Sequence, residues 1–392
     1  MQSARAAPEE ARAPVTPITE RTAIVHDWFS GLYGSERVVD AMRTGLFARD
    51  NRPDIYTFHA ARDLLPPDLA AAIVRESRLA ALPGIRQRGH DPGRWRYLLP
   101  YMPTYFSRLP LEEYDLVISS SHACAANVRP RPDALHVCYS HTPMRYAWMP
   151  ETDRERVRGT SGLALRAVTR HLRRIDLAAS RRPDLYIANS SAVRARIRRF
   201  YGRDAVVVHP PVDLHDLDPE QEKDPGLFLW VHRLVPYKNP ELVVEAFRAL
   251  PYRLVMVGIG PLERTLRSLL PANVELRGWV ERSELVKLYA RASGFIHVAE
   301  EDFGMTMVEA LGSGTPVIAL DRGGARDIVR GDVDGLLLAR LDHAAIRSAV
   351  RRIAAGEWDR EELIARSRSF SRPAFLEAMA GVLDEARAAR SR

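Results

Sequence analysis

Two carboxylates, Glu301 and Glu309, stand seven intervening residues apart in EEDFGMTMVEALGSGTPVIAL, a stretch that is otherwise largely apolar. A helix is predicted from about Phe303 to Ser313, and Phe303, Met305, Met307, Val308, Ala310 and Leu311 would cover nearly its whole circumference, so it reads as buried. An unpaired Glu309 there would be costly, and a hydroxyl-rich ligand would supply the missing partner. A buried helix with one salt-bridged glutamate is the plainer reading, and the spacing alone leaves both open. Phe303, Gly304, Met305 and Thr306 fall at the predicted helix start, where unbonded N–H groups and the helix dipole favour a phosphate. Gly304 would let such a ligand approach closely.

Other candidates sit where apolar runs end. After LFLWV come Arg233 and Lys238, two cations that could neutralise a diphosphate leaving group as its charge grows, with no metal needed. Gly34 and Ser35 begin a helical pattern after the first run, and their N–H groups could meet the same anion. His26 and Asp27 end that first run and are either ligand-facing or hydrogen-bonded turn residues. His141 follows ALHVC; a lone histidine is more often structural than catalytic. Gly258, Gly260 and Pro261 form a tight turn, and a Gly-x-Gly without a third glycine is weak evidence for a dinucleotide.

The elements that must position these residues alternate regularly. Short apolar runs (TAIVHDW, YDLVISSS, ALHVCYS, LYIANS, AVVVHPP, then LFLWVHR, YRLVMVG, GFIHVAE, TPVIAL) are separated by helical patterns, which predicts α/β architecture with parallel sheets. The alternation occurs twice, and PPVDLHDLDPEQEKDPG lies between. The expected organisation is a disordered tail over 1–20, a first Rossmann-like domain over 21–210, a second over 211–372, and a returning helix over 373–392. Ligands of open α/β sheets bind beyond the strands' carboxyl ends, which is where every candidate lies.

The paired glutamates with Phe303-Gly304 between them resemble the donor site of the retaining family 4 glycosyltransferases, whose GT-B fold faces two Rossmann-like domains across a cleft. The pattern Arg233-Leu-three residues-Lys238, the turn Gly258-x-Gly260-Pro261 and the pair Gly323-Gly324 are similar to further motifs of that family and occur in its order; Asp327 stands where many members have Glu. The resemblance implies that Glu301 contacts sugar hydroxyls, that Glu309 binds the ribose, and that Arg233, Lys238 and the backbone of Phe303, Gly304 and Met305 hold the diphosphate. It also implies that the backbone around Trp279 and Val280 meets the nucleobase and that His141 contacts the donor sugar near the reacting carbon. HDWFSGLYGSERVVDAM resembles the family's glycine-rich loop with Tyr33 in place of the first glycine. Gly34 and Ser35 would then serve the donor, and His26, Asp27, Tyr33 and Arg145 the acceptor side. CYSHTPMRYAWMP and YIANSSAVRARIRRFYG resemble a narrower group, bacterial O-antigen mannosyltransferases that use GDP-mannose.

Composition narrows the alternatives. At 392 residues, with 46% hydrophobic and 27% charged, the chain suits two globular domains rather than disorder or a fibre. No run reaches the eighteen apolar residues of a membrane span, the start lacks an apolar signal core, and two cysteines, Cys124 and Cys138, are too few for a disulfide framework or Cys-based zinc site; a cytoplasmic protein is expected. The net charge of +7 draws on an Arg-rich stretch from Arg166 to Arg203, read first as solvated helix faces and otherwise as docking on the inner membrane surface. The expected activity is retaining transfer of a hexose, mannose from GDP-mannose before other donors, to a hydroxyl of a saccharide, lipid-linked sugar or small-molecule scaffold, with no cofactor, no metal and no nucleic acid. A glycoside hydrolase or phosphorylase using Glu301 and Glu309 as acid and base, and a basic nucleic-acid-binding protein, are the alternatives.

Overall fold

The computed structural model describes residues 16–87, 93–149 and 162–390. Thirteen strands are described: β1 (Thr22–His26), β2 (Asp54–Thr57), β3 (Ile73–Arg75), β4 (Leu116–Ser121), β5 (Leu135–Ser140), β6 (Leu185–Ala188), β7 (Val206–Val207), β8 (Leu227–Val231), β9 (Arg253–Val257), β10 (Val274–Gly278), β11 (Gly294–His297), β12 (Val317–Leu320) and β13 (Gly335–Leu338). They form two sheets, ordered β3-β2-β1-β4-β5-β6-β7 and β10-β9-β8-β11-β12-β13, and every pairing between neighbours is parallel. In each, the order reverses beside the first strand of the set, β1 or β8, which opens a crevice at the strands' carboxyl ends.

Both faces of each sheet are covered, so the strands read as continuous apolar runs. In β1 the pleat sends Ile24 to one core and Ala23 and Val25 to the other. The second sheet is sandwiched in the same way between two apolar clusters, one around Phe228, Trp230 and Met256 and the other around Leu229, Val257 and Phe295. β2, β3, β10 and β13, which complete the sheets, escape the sequence reading; β3 is three residues long, and β10 alternates buried and exposed side chains.

The final helix, Arg372–Arg390, belongs to the first sheet's core: Phe375, Met379 and Leu383 are buried there among Val38, Met42 and Tyr139. Arg387 pairs with Glu20, and Arg390 donates to the Ala134 carbonyl at 2.5 Å. Of the tail expected over 1–20, residues 1–15 lie outside the described residues, but residues 16–20 correct the expectation. Ile18 is buried, and its N–H bonds the Leu46 carbonyl at 2.8 Å, so the stretch is anchored to the domain at this residue while Thr16, Pro17 and Thr19 are exposed.

Candidate active site

The Met305–Gly312 helix starts at Gly304, whose φ of 104° is a conformation that suits glycine. Its approach is enforced from behind. Gly324 N–H bonds the Glu301 carbonyl at 2.9 Å, and a side chain on Gly323 or Gly324 would overlap the backbone of Glu301 or Phe303. The Phe303 ring is buried, stacked on His209 at 5.5 Å and packed on Phe370, so it supports the loop from below and leaves only its backbone toward the cleft.

Glu301 is a quarter exposed and has two partners: Lys238 Nζ on Oε1, and His297 Nε2 at 3.1 Å on Oε2. Lys238 is buried, and burial, with Arg145 and Arg233 nearby, pushes its ammonium down toward about 7, against the opposing pull of Asp302. Arg233 lies beside it and is exposed. Gly258 and Gly260 let the turn after β9 press against this loop: a side chain on Gly258 would overlap the His232 carbonyl, and one on Gly260 would reach the Leu234 carbonyl at 2.5 Å.

Glu309, buried as expected, is not left for a ligand to satisfy. Arg282 Nη1 bonds Oε1 at 2.6 Å and the Tyr289 hydroxyl bonds Oε2 at 3.0 Å, while Arg282 also forks onto Asp216 at 2.7 and 2.9 Å. Of the two readings the spacing left open, the buried helix with a salt-bridged glutamate is the one seen here. Engaged on both oxygens, it is also poorly placed as a glycosidase acid or base. Arg282 and Asp216, the latter in the linker, carried no signal in the sequence beyond their charge. Trp279, after β10, is 65% exposed, with Val280 half-buried beside it.

On the first domain, Asp27 corrects its assignment to the acceptor side. It is fully buried, and its oxygens accept four N–H groups, from His122, Ala123, Cys124 and Ala125, at 2.5 to 2.9 Å, which fixes the loop after β4. His26 is likewise fully buried; its Nδ1 meets Ser120 Oγ at 3.0 Å, and the same hydroxyl meets His141 Nε2 at 2.8 Å. His26 therefore contributes through this network rather than by touching an acceptor. His122, missed by the sequence reading, completes a cluster with ring centroids 5.7 Å from His26 and 6.1 Å from His141, and with 21% of its side chain exposed it is the most open of the three. Burial pushes all three imidazoles down to about 3, aided by the neighbouring His122 for His26 and His141 and by Arg145 for His122.

Contacts across the cleft bring the two halves together. Asp302 is gripped by Arg145 and Arg196 of the first domain; burial opposes its charge, but the two guanidiniums hold its carboxyl below the usual range. Arg145, expected to meet an acceptor, is thus engaged with the opposite domain. Asp327 Oδ2 accepts the Ser191 N–H at 2.6 Å, at the start of the Ser191–Tyr201 helix. A side chain on Gly34 would stand 3.2 Å from the Met305 sulfur, so the first domain's glycine loop faces the helix start directly, with Ser35 bonded to Glu36 at 3.0 Å and Tyr33 59% exposed.

A model described as glycosyltransferase family 4 matches residues 33–216, and one described as glycosyl transferases group 1 matches residues 215–370. The chain belongs to the family 4 glycosyltransferases. Its fold is GT-B, and as a family 4 chain it is similar over 234 residues to a D-inositol 3-phosphate glycosyltransferase of Xylanimonas cellulosilytica, at 29% identity, covering 51% of this chain and 56% of that protein. A GDP-mannose-dependent alpha-mannosyltransferase of Mycolicibacterium smegmatis is 41% identical over 113 residues, 28% of this chain and 29% of its own length. The matches thus span about half or less of these relatives. Among solved structures, the HepE protein of Anabaena, in complex with UDP and glucose, superimposes with a TM-score of 0.64 over 93% of this chain and 100% of its own, at 18% identity. Sucrose-phosphate synthase of Thermosynechococcus elongatus gives 0.67 over 94% and 100%, also at 18% identity. No helix among the described residues is long and apolar enough to cross a membrane.

His232, His297 and Glu301 form the one group among the described residues whose donor atoms lie close enough, within 4.8 Å of one another, to hold a cation. The ammonium of Lys238 already rests on that carboxylate, so a metal ion would have to displace it. Of the Arg-rich stretch, Arg182 and Arg203 donate to backbone carbonyls and Arg196 faces the cleft, whereas Arg170, Arg174, Arg181, Arg194 and Arg199 are exposed.

Proposed function

We propose that this protein transfers a hexose, mannose in preference to glucose, from a nucleotide diphosphate sugar to an acceptor hydroxyl with retention of anomeric configuration. The observation that carries this reading is the convergence of Lys238, Glu301 and the Gly304 helix start at one point opposite Gly34. A diphosphate at that helix start would find unbonded N–H groups, the dipole and two cations, Arg233 and Lys238, all strengthening as negative charge develops on the leaving group. Glu301 would be freed for the sugar hydroxyls as Lys238 turns to the phosphate. Glu309, held by Arg282 and Tyr289, would present its carboxylate to the ribose from a fixed position.

The neutral imidazoles of His122 and His141 offer donors and acceptors to sugar hydroxyls without adding charge beside the reacting carbon. In the front-face route that the family resemblance suggests, a donor phosphate oxygen takes the acceptor proton, so the proposed transfer requires neither a side-chain base nor a metal or organic cofactor. GDP-mannose is favoured by the similarity of CYSHTPMRYAWMP to mannosyltransferases and by the relative that is GDP-mannose-dependent. The acceptor, a saccharide, lipid-linked sugar or small-molecule scaffold, would enter on the first domain's side; the exposed arginines suit a cytoplasmic protein that meets it at the inner membrane face. Titrating the purified protein with GDP-mannose, UDP-glucose, UDP-N-acetylglucosamine and GDP-fucose in a calorimeter tests the reading. Saturable uptake of GDP-mannose at the tightest affinity is expected; heat from none of the four would overturn it.

A further inference from the structure

His297 ends β11 with no exposed surface, and its ring presents one nitrogen to Glu301 while the other, Nδ1, is buried without a partner. An apolar ring of the same shape would fill the space without burying an unsatisfied nitrogen, so packing alone does not account for a histidine here. A carboxylate only accepts, which makes Nε2 the donor and fixes the tautomer. His232, just after β8, meets this ring edge-on with centroids 4.5 Å apart, and the next turn supplies Lys238 to the opposite oxygen of the same carboxylate. Asn239 Nδ2 then bonds the Val298 carbonyl at 2.9 Å, tying the lysine loop to the end of β11. From above, a side chain on Gly304 would come within 3.3 Å of His297 Nε2 and 3.4 Å of Glu301 Oε2, so the helix start closes over the pair.

We propose that His297 is a positioning residue for donor-sugar recognition: its Nε2–H holds Glu301 in one orientation, so that the carboxylate stays aimed at the sugar when Lys238 leaves it for the diphosphate. His232 restrains the ring that does this. The proposal rests on the reading of Glu301 given under Proposed function.

The test compares His297→Phe, which keeps the shape without the donor, with His297→Gln, whose amide reaches the position of Nε2. Dissociation constants are measured by calorimetry for GDP-mannose and for GDP alone. His297→Phe is expected to weaken GDP-mannose about tenfold while changing GDP by less than about twofold, and His297→Gln to restore most of the loss. In a Glu301→Gln background, His297→Phe should add almost nothing. Equal weakening of GDP-mannose and GDP, or no recovery with glutamine, would reduce His297 to packing and overturn the proposal. Independently of any variant, the imidazole nitrogen signals of His297 in the wild-type protein should report the Nε2–H tautomer, and the Nδ1–H form would be fatal. If Glu301→Gln alone weakens GDP-mannose and His297→Phe does not, only the positioning role fails; if Glu301→Gln leaves binding unchanged, or the wild-type protein takes up no GDP-mannose, the underlying reading of Glu301 fails with it.

Discussion

The two mouths of the cleft solve opposite electrostatic problems. On the second domain, Lys238, Glu301, Arg282, Asp216 and Glu309 are charged groups paired with one another. On the first, His26, His122 and His141 are held uncharged by burial, Asp27 is consumed by backbone N–H groups, and the guanidiniums of Arg145 and Arg196 are spent on Asp302 across the cleft. Paired charges can be re-paired at modest cost when a charged ligand enters, which suits a phosphorylated donor. The histidine cluster, neutral and hydrogen-bonded, has no such charge to offer and discriminates by geometry, which suits a hydroxyl acceptor.

Removing Asp27 should be the harshest way to break the first mouth. Asp27→Ala leaves four buried N–H groups unmet, and a loss of about 4 kcal/mol or more in denaturant-induced unfolding is expected. A loss below about 1 kcal/mol would show that the loop after β4 does not need this acceptor. On the charged side, Glu309→Ala should act on the donor and also cost about 1 to 3 kcal/mol of stability, because the buried Tyr289 hydroxyl loses its partner while Arg282 keeps Asp216. Donor affinity and turnover should drop about ten- to hundredfold, and kinetics indistinguishable from wild type would remove Glu309 from the donor site.

Acid acts on the buried imidazoles of both mouths. His26, His122 and His141, and His297 on the second domain, titrate near 6.5 when unfolded but only at about 3 when folded, so the unfolded chain binds the extra protons. Stability should be complete above pH 6.5 and fall as pH drops from there toward 3, by about 1.4 kcal/mol per pH unit for each such group. Melting curves from pH 8 to pH 4 test this, and a flat profile below 6.5 would mean that the imidazoles are accessible to protons. A smaller effect is expected where the mouths meet. Asp302→Asn keeps the shape but weakens the grip of Arg145 and Arg196, so donor Michaelis constants should rise a few-fold and become less sensitive to salt. The gentlest probe is Gly34→Ala, whose methyl group meets only the flexible Met305 side chain at 3.2 Å; less than about 1 kcal/mol in stability and a few-fold in turnover should follow.

Much of this was legible in the residues themselves. The apolar runs that became β1, β4, β5, β8, β9, β11 and β12 are continuous because both sheet faces are buried, whereas β10, with its alternating exposed residues, and the three-residue β3 carry too weak a pattern to stand out. Glu301, Gly304 and Lys238 were found by spacing within local segments, and they do converge. What spacing could not reveal was pairing at long range. Nothing in the linker announces that Asp216 will hold Arg282 and through it Glu309, nor in YGSER or MRYAW that Gly34 will face Met305 and Arg145 will reach Asp302. Asp27 misled because a carboxylate at a strand end looks the same whether it awaits a substrate or, as here, anchors a neighbouring turn.

The last helix, whose Phe375, Met379 and Leu383 fill the core beneath β1 and β4, imposes an order on synthesis. As the chain leaves the ribosome, the first seven strands emerge with that part of their apolar surface still uncovered, while the later six-stranded unit has every strand by residue 338. The half made last can therefore mature before the half made first, and chaperones would be needed most at the amino-terminal half during that interval.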